Sequence, residues 1–150
     1  MDYTANPNDI YPSLPTEGRQ SDILRLAVLN STYYLEIKEM HFAELINQIK
    51  QHVTPTLEPW VKGAHGVPSS LSCIVYRLQE AKIIEKELSY MLASSASTIK
   101  CTALLLIRYS SPFDQMWPRL KPYLLQQDVA AFTKSLLDES YNKAVLPRIP

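Results

Sequence analysis

Three features of the sequence predict an all-α fold. Apolar residues recur at the three-and-four spacing that lines one face of a helix, through most of the chain. No stretch shows the strict alternation of a half-buried strand. Only three glycines occur, and two of them, Gly63 and Gly66, fall within one short stretch, LEPWVKGAHG. At 150 residues the chain suits one domain, which buries about 68–70% of its unfolded surface. The expected architecture is an extended or disordered arm over 1–20, followed by a single domain over 21–150. That domain should hold roughly seven or eight short helices around a buried central one.

The arm carries Pro7, Pro12, Pro15 and Gly18 among polar residues, a composition that favours extended chain. SDILRLAVLN begins the domain. Ser21 or Asp22 supplies an N-cap oxygen, and Asn30 and Ser31 end the helix. STYYLEIKEM forms a second short helix. In MHFAELINQIKQHV, residues Phe42, Leu45, Ile46, Ile49 and Val53 make one stripe. Pro55 and Pro59 then force a non-helical connection. Pro68 suits the first turn of the next helix, where its missing N–H costs nothing, and Leu71, Ile74, Val75 and Leu78 form that helix's stripe. IIEKELSYMLASS places Leu88, Met91 and Leu92 on one face. STIKCTALLLIRY is apolar around nearly its whole circumference, as expected of a helix enclosed by others. Pro112, Pro118 and Pro122 break SPFDQMWPRLKPYLL into a short helix and turns. Asp128 caps DVAAFTKSLLDES, which turns Phe132, Leu136 and Leu137 inward. The two prolines of LPRIP make the end extended.

Composition narrows the chemistry. Fifteen basic residues balance fifteen acidic ones, which argues against retention on nucleic acid by bulk charge. The longest apolar run, ALLLI at 103–107, falls far short of the roughly 18 residues of a membrane span. Cys73 and Cys101 lie in apolar helical patterns and read as buried, reduced thiols. His41 and His52 are eleven residues apart, about 16 Å along a helix and too far to share a metal. Glu85 and Glu87 point to different faces and are no acid–base pair. No metal or nucleotide motif is present, and KGAHG lacks the lysine placement of a phosphate loop. No cofactor is expected. Trp60, Trp117, Tyr76, Tyr109, Lys62 and Arg108 stand out. Taken singly each has a structural explanation: tryptophan as core, and Arg108 as a buried charge paired with Glu58 or Asp114.

As a set, these residues resemble the pre-mRNA-splicing factor 38 family. LEPWVKGAHG, SSLSCIVYRL, IKCTALLLIRY, a tryptophan after a short proline-containing loop, and the closing LPRIP follow the order and spacing of its second branch, across about residues 21–150. Departures are Lys100 and Ala103, where the family has arginine and then glycine, and Leu106 in place of tyrosine. The segment after Leu125 is shorter than expected, and these 150 residues include no arginine/serine-rich stretch like the tail of many members. Lysine keeps the charge at position 100 but loses the guanidinium fork.

The resemblance implies an all-helical, non-catalytic, protein-binding scaffold of the nucleus. Its members join the pre-catalytic spliceosome and are needed for its activation. It also implies partners that are peptide or helical segments of other spliceosomal proteins, including tri-snRNP components. The chain should be monomeric outside the complex, with weak or indirect RNA binding and no membrane contact. Lys62, His65, Arg77 and Lys100 are the candidate partner contacts. Trp60, Gly63, Gly66, Arg108, Tyr109 and Trp117 are the structural motif, with Trp60 turned inward and the glycines supplying positive φ. The rival reading is a small helical RNA-binding protein with a local patch of Lys62, Arg77, Lys82, Lys100 and Arg108.

Overall fold

The computed structural model describes residues 22–61, 66–138 and 141. In chain order it contains α1 (Asp22–Leu29), α2 (Thr32–Ile37), α3 (Phe42–His52), β1 (Trp60–Val61), β2 (Val67–Pro68), α4 (Ser70–Glu80), α5 (Glu85–Leu92), α6 (Ser97–Ser110) and α7 (Phe113–Leu120). A 3-10 turn (Lys121–Leu125) and α8 (Ala130–Leu137) follow. The arm over 1–20 and the LPRIP end lie outside the described residues.

The fold is built around α6. Every residue from Cys101 to Ser110 is buried, and α3, α4, α5, α7 and α8 all pack against this helix. Leu104, Leu105, Leu106 and Ile107 are at most 2% exposed, and burying side chains of this size is worth roughly 1.5–3 kcal/mol each. Several polar groups on α6 find partners within the fold. Thr102 Oγ1 donates to Thr98 O at 2.7 Å, and Gln79 Nε2 donates to Ser110 Oγ at 3.3 Å. Arg108 is wholly buried, and its Nε donates to Leu136 O at 3.0 Å. The acceptor of this bond is a backbone carbonyl at the end of α8. Glu58 and Asp114 are both exposed.

The outer helices bury the stripes read from the sequence: Leu45, Ile46 and Ile49 on α3, Leu71, Ile74, Val75 and Leu78 on α4, and Leu88 and Met91 on α5. Phe42, Val53, Leu92, Phe132 and Leu137 are partly buried against the same core. Asn30 closes α1 by donating from Nδ2 to Leu26 O at 2.9 Å.

Four expectations change. Pro68 is not in a helical first turn. It lies in β2, opposite Trp60 in a two-residue antiparallel ladder, and Ser69 is the N-cap of α4, its Oγ accepting from Ser72 N at 3.2 Å. The serine oxygen satisfies a free helix N–H, which a proline cannot do. Pro118 does not break its helix, because α7 runs through it to Leu120. The carbonyl that loses its donor belongs to Asp114, and both residues are exposed, where solvent can take the place of the missing donor. Asp128 does not cap α8. Val129 holds that position, and the Asp128 carboxylate pairs with Lys100 at 2.7 Å. Trp117 is 51% exposed and therefore is no core residue.

Cys73 and Cys101 are free and buried. Burial pushes the Cys101 thiol up to about 12, with the Asp128 charge adding to the rise, and burial likewise raises Cys73. Since the thiolate is the reacting form, neither thiol should react with a disulfide-exchange reagent at neutral pH. Both should react promptly in denaturant. Fast modification of the native chain would place at least one of them at the surface.

A candidate partner groove beside Trp60

The connection from α3 to α4 is shaped by a few local constraints. Leu57 has φ +54, a left-handed conformation that costs a non-glycine residue roughly 1–2 kcal/mol. Two hydrogen bonds hold it. Leu57 N donates to Thr54 O at 3.1 Å, and Leu57 O accepts from the hydroxyl of Tyr141. Pro59 O then accepts from Ser69 N and from Ser72 Oγ, each at 2.9 Å, which pins the base of the loop to the start of α4. Gly66 has φ +58, and a Cβ there would sit 3.4 Å from Trp60 Cε3. Glycine is needed for the backbone conformation, and it lies against the indole.

Trp60 is partly buried and packs on the core. It also forms a wall of a groove of about 370 Å³, together with Leu57, Glu58, Val61, Ser69 and Leu71. Val61 and Val67, paired across the ladder, are 53% and 58% exposed. Leu57 is shared with a second groove of about 510 Å³, which Pro55, Cys101, Phe132, Ser135 and Tyr141 also line. The Tyr141 ring meets Phe132 edge-on at 5.2 Å, and burial raises its hydroxyl pKa. Thr56 and Leu57 thus lie between the two grooves, and Tyr141 fixes the backbone of Leu57.

The sequence candidates fall in different surroundings. Lys62, Gly63 and His65 lie outside the described residues, immediately after Val61. Arg77 is partly exposed on α4, beside Tyr34, whose hydroxyl donates to Glu80 Oε1 at 2.6 Å. Burial, with the Glu80 contact, raises the Tyr34 pKa. Lys100 sits elsewhere, on α6, bonded to Asp128 at 2.7 Å and Gln126 at 3.2 Å, with its side chain 13% exposed. Arg108 and Tyr109 are buried within α6. Lys100 and Arg77 are therefore tied to separate parts of the fold, and the patch of the rival reading has Arg108 in the core. Leu57 and Tyr141 escaped the sequence reading. A leucine in the left-handed region has no signature, and their contact spans 84 residues.

Among the described residues no group of histidine, cysteine, aspartate and glutamate could hold a metal ion. No helix among them is long and apolar enough to cross a membrane. The class so defined is a helical domain wrapped on one enclosed helix, with open grooves where short connections meet. The chain belongs to the PRP38 family, whose model matches residues 20–149. It is similar to pre-mRNA splicing factor SR-like 1 of Arabidopsis thaliana, with 27% identity over 110 residues. That match takes in 72% of this chain and only 28% of the relative's length. The fold is similar to that of a chain in the crystal structure of the Snu23–Prp38–MFAP1(217–258) complex of Chaetomium thermophilum. There the TM-score is 0.78 at 16% identity, covering 93% of this chain and 80% of that one.

Two outcomes are expected. Gly66→Ala should destabilise the domain by about 1 kcal/mol, because alanine resists positive φ, and Gly66→Asn should cost less, both read from urea midpoints. Equal losses would show that the space beside Trp60, not the backbone angle, sets the requirement. Lys100 holds the Asp128 carboxyl below its ordinary value of 3.8. A depressed carboxyl stabilises the fold above its unfolded pKa and loses that contribution as pH falls through the folded value. Asp128→Asn should therefore lower the melting temperature at pH 7, with the difference shrinking once the pH is below 3.8. A pH-independent difference would assign the effect to something other than this charge.

Proposed function

We propose that this chain is a non-catalytic component of the spliceosome. It acts in the nucleus as a protein-binding scaffold of the pre-catalytic particle, where it is needed for activation, and its partners are segments of other splicing proteins. Membership of the family supports the setting. The observation that carries the reading is a fold likeness over 93% of the chain to a structure that holds Snu23 and a fragment of MFAP1. The groove beside Trp60 has the character such a role requires: apolar walls from Leu57, Trp60, Val61 and Leu71, with a polar rim. A partner segment would fill it with a few apolar anchors. Lys62 and His65 follow Val61 in the sequence, and with Arg77 and Lys100 they remain the candidate partner contacts.

The test is calorimetric titration of the chain with Snu23 and with the segment corresponding to MFAP1(217–258) from the same organism. At least one should bind. Lys62→Glu should weaken that binding and leave the melting temperature nearly unchanged, because a charge that meets a partner tunes association more than stability. If neither binds, the scaffold reading fails. Short RNA should bind only weakly at physiological salt, and a dissociation constant near 10⁻⁸ M, as tight as specific readers reach, would replace this reading with an RNA-binding one.

A further inference from the structure

Phe113, Met116, Trp117 and Leu120 recur along α7 at the spacing of one helical face. Met116 and Leu120 are 1% and 0% exposed, yet Trp117, next to Met116, is 51% exposed. Trp117 is not isolated. Among the described residues it lines a cavity of about 280 Å³ with Phe113, Met116 and Leu137 of α8, all of them apolar. Half-exposed tryptophan beside an apolar cavity is the pattern of an interface anchor.

Charges of opposite sign flank Trp117 along the helix. Lys121, one turn after Trp117, holds its ammonium 5.9 Å from the centre of the indole. Asp114, nearly one turn before it, is exposed. Arg119 differs, because it is already tied to Glu85 at 2.9 Å.

We propose that the α7 face is a docking site for a short amphipathic segment of another protein. Its anchor is one aromatic or long aliphatic side chain in the cavity, next to a carboxylate that meets Lys121. Size argues for a segment. Four side chains present far less than the about 800 Å² per partner that a stable dimer buries, and a cavity of this volume takes one or two side chains. Charge argues for the acid. A carboxylate arriving at Lys121 meets an ammonium poised over the anchor ring, and Asp114 favours a basic residue at the other end, which sets the orientation. The site is separate from the groove at Trp60, and its failure would leave the reading of that groove untouched.

The test begins with random peptides of about a dozen residues displayed on phage and selected against the full chain. Synthetic versions of the winners are then measured by fluorescence polarisation. They should share an apolar anchor beside an acidic residue. Binding should fall about tenfold or more with Trp117→Ala, as for an anchor residue. It should also fall with Lys121→Glu, and Val61→Glu should leave it unchanged. Changing the peptide's acid to lysine should restore binding to the Lys121→Glu variant, a rescue that a purely structural Lys121 would not give. If Trp117→Ala fails to fold, that charge reversal decides alone. Selected peptides that bind both variants like the parent, or a selection that yields none, would overturn the proposal. So would a parent chain that sediments as a dimer while Trp117→Ala is monomeric, since a second copy would then occupy the face.

Discussion

The enclosure of α6 is the constraint on which the rest of the structure depends. A helix apolar on every side is tolerable only when covered on every side, so the chain must supply covering elements in several directions. Five helices do so here. The cover is assembled from pieces of eight to eleven residues, and turning corners that often requires the many prolines and capping residues between them. Enclosure also leaves no water for the polar groups on α6. Thr102 turns back on Thr98 O, Ser110 meets Gln79, and Arg108 reaches the carbonyl of Leu136. The last contact does two things, because it gives the guanidinium an acceptor and satisfies a carbonyl at the C-terminal end of α8, where intrahelical donors have run out.

Most of this was legible in the sequence, and the reasons are particular. The stripes of α3, α4 and α5 repeat at helical spacing, and STIKCTALLLIRY has no polar face to expose. The errors share a different logic. At Pro118 the consequence of a missing N–H depends on whether the orphaned carbonyl is wet, which is a tertiary fact. At Pro68 a competing serine one residue later decided where the helix began. Trp117 belongs to a perfectly regular stripe, but periodicity marks the direction of a stripe and not how much of its width is covered. Met116 and Trp117 lie about 100° apart around the helix, and the cover ends between them. Asp128 met a cation from another helix that no local pattern announces.

The candidate groove was legible only in part. LEPWVKGAHG predicts the positive φ at Gly66 and an inward Trp60, but the structure leaves Trp60 only partly buried. The fixed wall at Leu57 does not follow from that stretch, because its conformation is enforced by a residue far along the chain. Trp60 serves both sides of the problem. One part of the ring packs on the core and against Gly66, and the remainder faces the groove. Its neighbourhood therefore links the packing of the core to the shape of the groove.

The bond from Tyr141 to Leu57 has a consequence in time as well as in space. During synthesis the Leu57 carbonyl must wait for a donor that lies 84 residues further on, which at 5–20 residues per second is about 4–17 s of elongation. Until then nothing from Tyr141 offsets the cost of a left-handed leucine, and the wall between the two grooves is free to relax. The helices can begin to condense earlier on their local patterns, but the groove at Trp60 reaches its final shape only when nearly the whole domain has emerged. A nascent chain would thus present a foldable body before the groove beside Trp60 is complete.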